Sequence, residues 1–243
     1  MGKAPLNLDN RSWERTIIKD DSAWTNTDAV RLACVAIVVV AAVYGIGHYI
    51  LQGFPNSADE HAYLFQAQLF AQGRFYSEAH PKQEFFLPFY ILTHNNKVFS
   101  LFPPGWPLVL SLGVRWGGVE WINPLIGGLT VIVLFAIGWM IGGRRYAWMA
   151  VGLLVLSPFF LLNGASYFSH PVCLLGVLLT VWFFMLWDCH EYVIFAVLAG
   201  FAASWAFSIR EFTAVLLLIV PGMSVIRYSI EKKLFLGGFL AGF

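Results

Sequence analysis

Two adjacent acids, Asp59 and Glu60, followed by His61, stand just after the first long apolar run, in the stretch PNSADEHAYLFQAQLFAQGRFY from Pro55 to Tyr76. Further along, Ser169-His170 and Arg210-Glu211 stand at the ends of other apolar runs. An acid in a dry interfacial cleft can take a proton from an acceptor hydroxyl or amine, and a fixed cation beside it can hold a phosphate as it leaves. Together they describe transfer onto an acceptor from a lipid-phosphate donor. The same side chains suit a proton-coupled transporter equally well, so residue types leave both open. Each group also has an ordinary structural use. Ser57 and Glu60 have the spacing of a helix capping box, with Gly73 as the stop about four turns on. Ser169-His170 before Pro171 reads as helix-start punctuation, and Arg210 can pair with Glu211 or snorkel at the interface.

The elements that position these groups are membrane helices. Of the 243 residues 58% are hydrophobic and 12% charged, whereas roughly a quarter of a soluble domain is charged. The net charge of +1 gives no electrostatic case for nucleic acid. Residues 1–28 are polar and mixed in charge, too acidic for a cleaved signal, and read as a cytoplasmic tail. Val30 to Leu51 is long enough to span the ~30 Å of hydrocarbon. Residues 52–102 form a long extracytoplasmic loop that opens with an amphipathic helix along the interface. Tyr63, Leu64, Ala67, Phe70 and Ala71 fall on its one side and Gln66, Gln68 and Gln72 lie around the rest. Asn95-Asn96-Lys97 before Val98-Phe99-Ser100 gives a hairpin signal.

The apolar segment from Pro103 to Arg115 is too short to cross and reads as a second interfacial or re-entrant helix. Crossings are then expected at about Trp121 to Ile141, Ala147 to Asn163, Pro171 to Trp187, Tyr192 to Ser208 and Phe212 to Arg227. A seventh is cut short between Leu234 and Phe243. This arrangement leaves most of the 15 Lys and Arg inside, Arg144, Arg145, Lys232 and Lys233 among them. It also gathers Asp59, Glu60, His61, Ser169, His170, Arg210 and Glu211 at the outer face. Cys34, Cys173 and Cys189 have no CxxC spacing and read as buried small hydrophobes, and His80 and His94 have no metal-ligand spacing.

The order SADEHAYLFQAQLFAQGRFYS, NNKVFSLFPPGWPLVLSLG, an apolar helix ending GRR, SPFFLLNGASYFSHP and SIREFTAVLLLIVP resembles the start of GT-C-type membrane glycosyltransferases. The nearest pattern is that of the protein-mannosyltransferase and aminoarabinose-transferase relatives, and it covers nearly all of residues 30–230. The resemblance implies a polyprenyl-phosphate sugar donor, inversion at the anomeric carbon and an extracytoplasmic site with Asp59 as general base. Many relatives carry Lys before the Pro-Pro pair. This chain has Leu101-Phe102 there, which leaves Lys97 or Arg210 to supply the phosphate contact.

The expectation is therefore an all-α, polytopic membrane helix bundle: a cytoplasmic tail over 1–28 and a GT-C-like domain over 29–243, the amino-terminal portion of such an enzyme or a shortened member. Asp59 and Glu60 are the candidate catalytic residues; His61, Lys97, His170 and Arg210 are the candidate substrate-binding residues. The donor is a polyprenyl-phosphate sugar, and the acceptor is a lipid, glycan or protein. No cofactor is required, and a divalent metal stays compatible with the acids. The expected location is the cell (inner) membrane, with the site facing outward. The alternative is a non-catalytic membrane protein, transporter or assembly partner, that keeps this fold.

Overall fold

The computed structural model describes residues 24–82, 85, 89–219 and 241–242. The expected tail up to residue 23, the second half of the helix expected over Phe212 to Arg227, the Lys232-Lys233 loop and most of the stretch from Leu234 lie outside the described residues. What is described is predominantly helical, as a bilayer demands of backbone groups that find no water to bond. Among the described residues, three helical stretches are long and apolar enough to cross a membrane: Asn26–Ile50, Val119–Val155 and His170–His190.

Helix α1, Asn26–Gly45, starts on a capping box between Thr25 and Asp28 and ends in a π-helical turn, Ile46–Ile50. Beyond Asp28 it buries only a narrow apolar stripe, Leu32, Ala36, Val39 and Val43, and leaves Val30, Ile37 and Val38 exposed. That is the pattern of a helix at the rim of a bundle, apolar all round but packed on one side. Leu32, Val39 and Val43 meet Val131, Phe135, Ala147, Val151 and Phe160 in one core cluster.

The expected loop contains α2 (Ala58–Ala71) and a three-stranded antiparallel sheet, and the short segment expected after it forms α3 (Gly105–Trp116). The strands β1 (Ser77–Glu78), β2 (Ile91–His94) and β3 (Lys97–Ser100) lie in the order β1-β3-β2. Asn95 and Asn96 turn the hairpin with φ of 48° and 61°, the left-handed conformation that asparagine tolerates and a two-residue hairpin needs. The hairpin signal is thus realised as β2-β3, and the three-stranded sheet is an addition to the all-α fold class expected. Helix α3 has 12 residues, about 18 Å at the helical rise, and lies along α2, as expected of a segment too short to span.

The face that α2 buries differs from expectation. Glu60, Ala62, Tyr63, Gln66, Ala67 and Leu69 are buried, while Leu64, Phe70 and Ala71 are only partly so. The polar members are matched by backbone groups. Gln66 donates from Nε2 to the Phe75 carbonyl and accepts from the Ser100 N–H, each at 2.9 Å. It fastens the sheet to the helix, so a residue that hydropathy puts outside stands inside.

Helix α4, Ile122–Val155, is bent at Gly142-Gly143, with Gly143 at φ 74°. A Cβ on Gly138 would stand 2.7 Å from the Ala147 Cα. Nine residues of straight helix would put these positions about 13 Å apart, so the second leg folds back on the first. Arg144, just past the bend, bonds Asp28 and Thr25 and ties the bend to the start of α1. The second leg stops at Leu156, and Ser157 caps the short α5, Pro158–Gly164. Then come α6, His170–His190, and α7, Val193–Ile209. These last two approach closely where Gly176 faces Ala206, 3.0 Å from a would-be Cβ to the Ala206 methyl. Arg210 interrupts the helix in an extended conformation (φ −150°, ψ 87°), and residues 211–219 resume it.

Candidate functional site

Glu60 is 1% exposed and both its carboxylate oxygens are engaged. Oε1 accepts from the Ser57 hydroxyl at 3.0 Å, and Oε2 accepts from the Tyr167 N–H at 2.9 Å. The Ser57 Oγ in turn accepts from the Glu60 N–H at 3.3 Å. The capping relation is present, but the carboxylate closes on the serine hydroxyl and on a backbone group 107 residues away, which turns it into the buried interior.

What Glu60 holds is the turn between α5 and α6. The Tyr167 carbonyl accepts from Trp106 Nε1 at 2.8 Å, and Tyr167 Oη donates to the Gly53 carbonyl at 3.0 Å. Asn123 Nδ2 donates to the carbonyls of Ser166 and Phe168 at 2.6 and 3.1 Å. An irregular buried segment must have its backbone groups paired, and here side chains of α2, α3 and α4 supply the partners. The turn is thereby fixed, and it delivers Ser169 and His170.

Ser169 is fully buried and its hydroxyl does not cap α6. It lies 3.1 Å from Tyr63 Oη and accepts from Arg210 Nη1 at 3.1 Å. Arg210 also donates from Nε to Thr213 Oγ1 at 3.3 Å. Among the described residues no carboxylate stands within ion-pair range of the Arg210 guanidinium, Glu211 included. A half-buried cation held by neutral hydroxyls is an incomplete electrostatic arrangement, and it favours an anion from outside the chain.

Asp59 leads into the same place. One residue before Glu60, it is rotated about 100° round α2, is partly exposed, and has no side-chain hydrogen bond among the described residues. With Tyr63, Phe102, Pro103, Arg210 and Glu211 it lines a cleft of about 200 Å³. On the other side of Arg210 is an apolar chamber of about 260 Å³, lined by Phe159, Phe160, Leu174 and Leu217. His170 also lines it, its Nδ1 buried without a partner among the described residues.

Asp59, Arg210 and His170 thus come together, whereas Glu60, His61 and Lys97 stand apart from the cleft. His61 is exposed on another side of α2, edge-on to Phe54 at 5.6 Å, and opens on a separate groove of about 900 Å³. Lys97 sits on β3 with its ammonium 4.3 Å above the Tyr76 ring.

Burial raises the Tyr63 phenol above its usual range, against a smaller opposing effect of the Ser169 bond and the Arg210 charge. Burial also raises that of Tyr167. Both therefore stay neutral hydrogen-bond donors at physiological pH. Chemically, the cleft sets an acid beside a cation with which, among the described residues, it forms no ion pair, the elements of base catalysis and of anion stabilisation.

Tyr63, Trp106, Asn123 and Tyr167 have no site role in the sequence-based expectation, where Tyr63 stands only on the apolar side of the amphipathic helix. Tyr63 carries a readable signal, since four residues after Asp59 it must share that acid's side of the helix. The other three act through backbone contacts across the fold that no local spacing encodes. No family model, curated protein or solved structure matches the chain.

Proposed function

We propose that this chain is a membrane glycosyltransferase, of the inverting kind that uses a sugar linked to a polyprenyl phosphate, with its site on the extracytoplasmic side of the cell membrane. The observation that carries the reading is the shared cleft of Asp59 and Arg210, an acid and a cation that line one opening without pairing. Asp59 takes the proton of the acceptor hydroxyl or amine as that group attacks the anomeric carbon. The bond from that carbon to the phosphate oxygen breaks, and Arg210 stabilises the charge gathering on the departing phosphate. The apolar chamber beside Arg210 suits the hydrocarbon of such a donor, since it places an apolar chain next to the charge that would hold its head group. Glu60 is a positioning residue: it fixes the turn that carries Ser169 and His170.

The test is transfer of a radiolabelled sugar from a panel of synthetic polyprenyl-phosphate sugars by the purified chain in nanodiscs, wild type beside Asp59→Asn and Arg210→Ala. Transfer by the wild type that both substitutions abolish supports the reading. Transfer that persists in Asp59→Asn removes the base assignment, and no transfer from any donor returns the chain to the non-catalytic alternative.

A further inference from the structure

The hydroxyl of Ser169 has one hydrogen and two lone pairs to distribute. Arg210 Nη1 can only donate, so one lone pair of Ser169 is taken by the guanidinium at 3.1 Å. The contact to Tyr63 Oη, also 3.1 Å, can run either way. If Tyr63 donates to Ser169, the hydrogen of a fully buried serine is left with no acceptor among the described residues. If Ser169 donates to Tyr63, both serine roles are filled and the spare hydrogen belongs to the phenol. Tyr63 lines the cleft shared by Asp59 and Arg210, where a bound molecule can accept that hydrogen. Tyr63 is itself 2% exposed, so in the second arrangement its hydrogen is made only when a molecule in the cleft accepts it, and leaving a buried donor unmade costs ~1–3 kcal/mol in general.

We infer that Tyr63 is a ligand-binding residue of this cleft: its phenolic O–H donates to a phosphate oxygen of the bound molecule, oriented by the relay from Arg210 through Ser169. This rests on the proposed function for the choice of a phosphate ligand. Chains of hydrogen bonds polarise one another, and here every donor points the same way: guanidinium to serine, serine to phenol, phenol to ligand. The guanidinium thus acts on an anion twice, directly across the cleft and through the phenol. The raised phenol range fits this use, because the group keeps its hydrogen throughout the physiological range. The ring itself is anchored independently, packed 4.6 Å from Phe102, so the hydroxyl can be removed without removing the packing.

Binding of farnesyl phosphate, a short soluble member of the lipid-phosphate class, separates this from the transfer reading because it requires no sugar and no turnover. Calorimetric titration of the full chain in detergent is expected to show Tyr63→Phe binding about tenfold or more weakly than wild type, the usual worth of a hydrogen bond to a charged group. Arg210→Ala should bind more weakly still. Replacement of Tyr63 by 3-fluorotyrosine, a more acidic donor of nearly the same shape, should tighten binding at neutral pH and reverse that gain as the phenol ionises. Equal affinity of wild type, Tyr63→Phe and the fluorinated protein overturns the inference while leaving Arg210 and the transfer reading standing. Failure of the wild type to bind farnesyl phosphate overturns the inference directly. If Tyr63→Phe does not fold, the pH-dependent affinity of the fluorinated protein decides alone.

Discussion

Asp59 and Glu60 are neighbours in sequence, and the structure leads to opposite expectations for them. Glu60→Ala removes two hydrogen bonds and leaves the Tyr167 N–H buried without an acceptor. One orphaned buried donor costs ~1–3 kcal/mol and the lost contact to Ser57 about 1 more, so a loss of about 2–4 kcal/mol is expected. Glu60→Gln should lose much less. Its amide oxygen can accept from Tyr167, and its NH₂ can donate to a Ser57 hydroxyl that rotates to receive it. Asp59→Asn removes no bond made within the described chain, so the protein should unfold like wild type. The proposed sugar transfer should nevertheless fall by about 10² to 10⁴, the usual contribution of a general base. Two measurements on each purified variant decide the matter: equilibrium unfolding in a mixed-micelle denaturant, and initial transfer rate. The reasoning fails if Glu60→Ala unfolds with wild-type stability and loses all turnover, for the carboxylate would then be serving chemistry. It fails equally if Asp59→Asn turns over at the wild-type rate.

Further outcomes follow from single features. Gly105→Ala would put a methyl 2.6 Å from the Ser208 carbonyl oxygen, so α3 must move away from α7. A loss of about 1–3 kcal/mol is expected, and unchanged thermal unfolding would show that the two helices give way freely. Tyr63 and Tyr167 both have phenols raised above 10.0 in the folded chain. Because the unfolded chain releases these protons first, their contribution is fully present below about pH 10 and lost as pH rises through the folded values. Alkaline unfolding should therefore be shallower in Tyr63→Phe than in wild type, and identical profiles would count against it. Glu78→Cys, at an exposed position of β1 in a cysteine-free background, should react with an impermeant maleimide from outside intact cells. Reaction only after the inner face is opened would invert the proposed orientation.

The sequence by itself determined the class of protein and the places where the chain turns. A long apolar run needs no distant partner to be read, because the bilayer acts on each segment through its own composition. Helix starts and stops are legible for the same reason: Ser57, Gly73 and the Asn95-Asn96 turn act on backbone groups within a few residues of themselves. Even the pairing of acid and cation as a plausible chemistry comes from side-chain types alone. Which of two adjacent acids stays available was decided only by the tertiary structure. A rotation of about 100° along α2 directs Glu60 into the buried turn at Tyr167 and Asp59 into the cleft with Arg210. The same holds for Ser169, which reads as a helix cap and instead joins Tyr63 to Arg210 across separations of 106 and 41 residues. Gln66, which a hydropathy pattern places outside, is drawn inside because Phe75 and Ser100 present backbone groups that must be paired. The physical reason is common to all three. A buried polar group is governed by the partner it finds, and those partners arrive from parts of the chain that no local pattern relates to it.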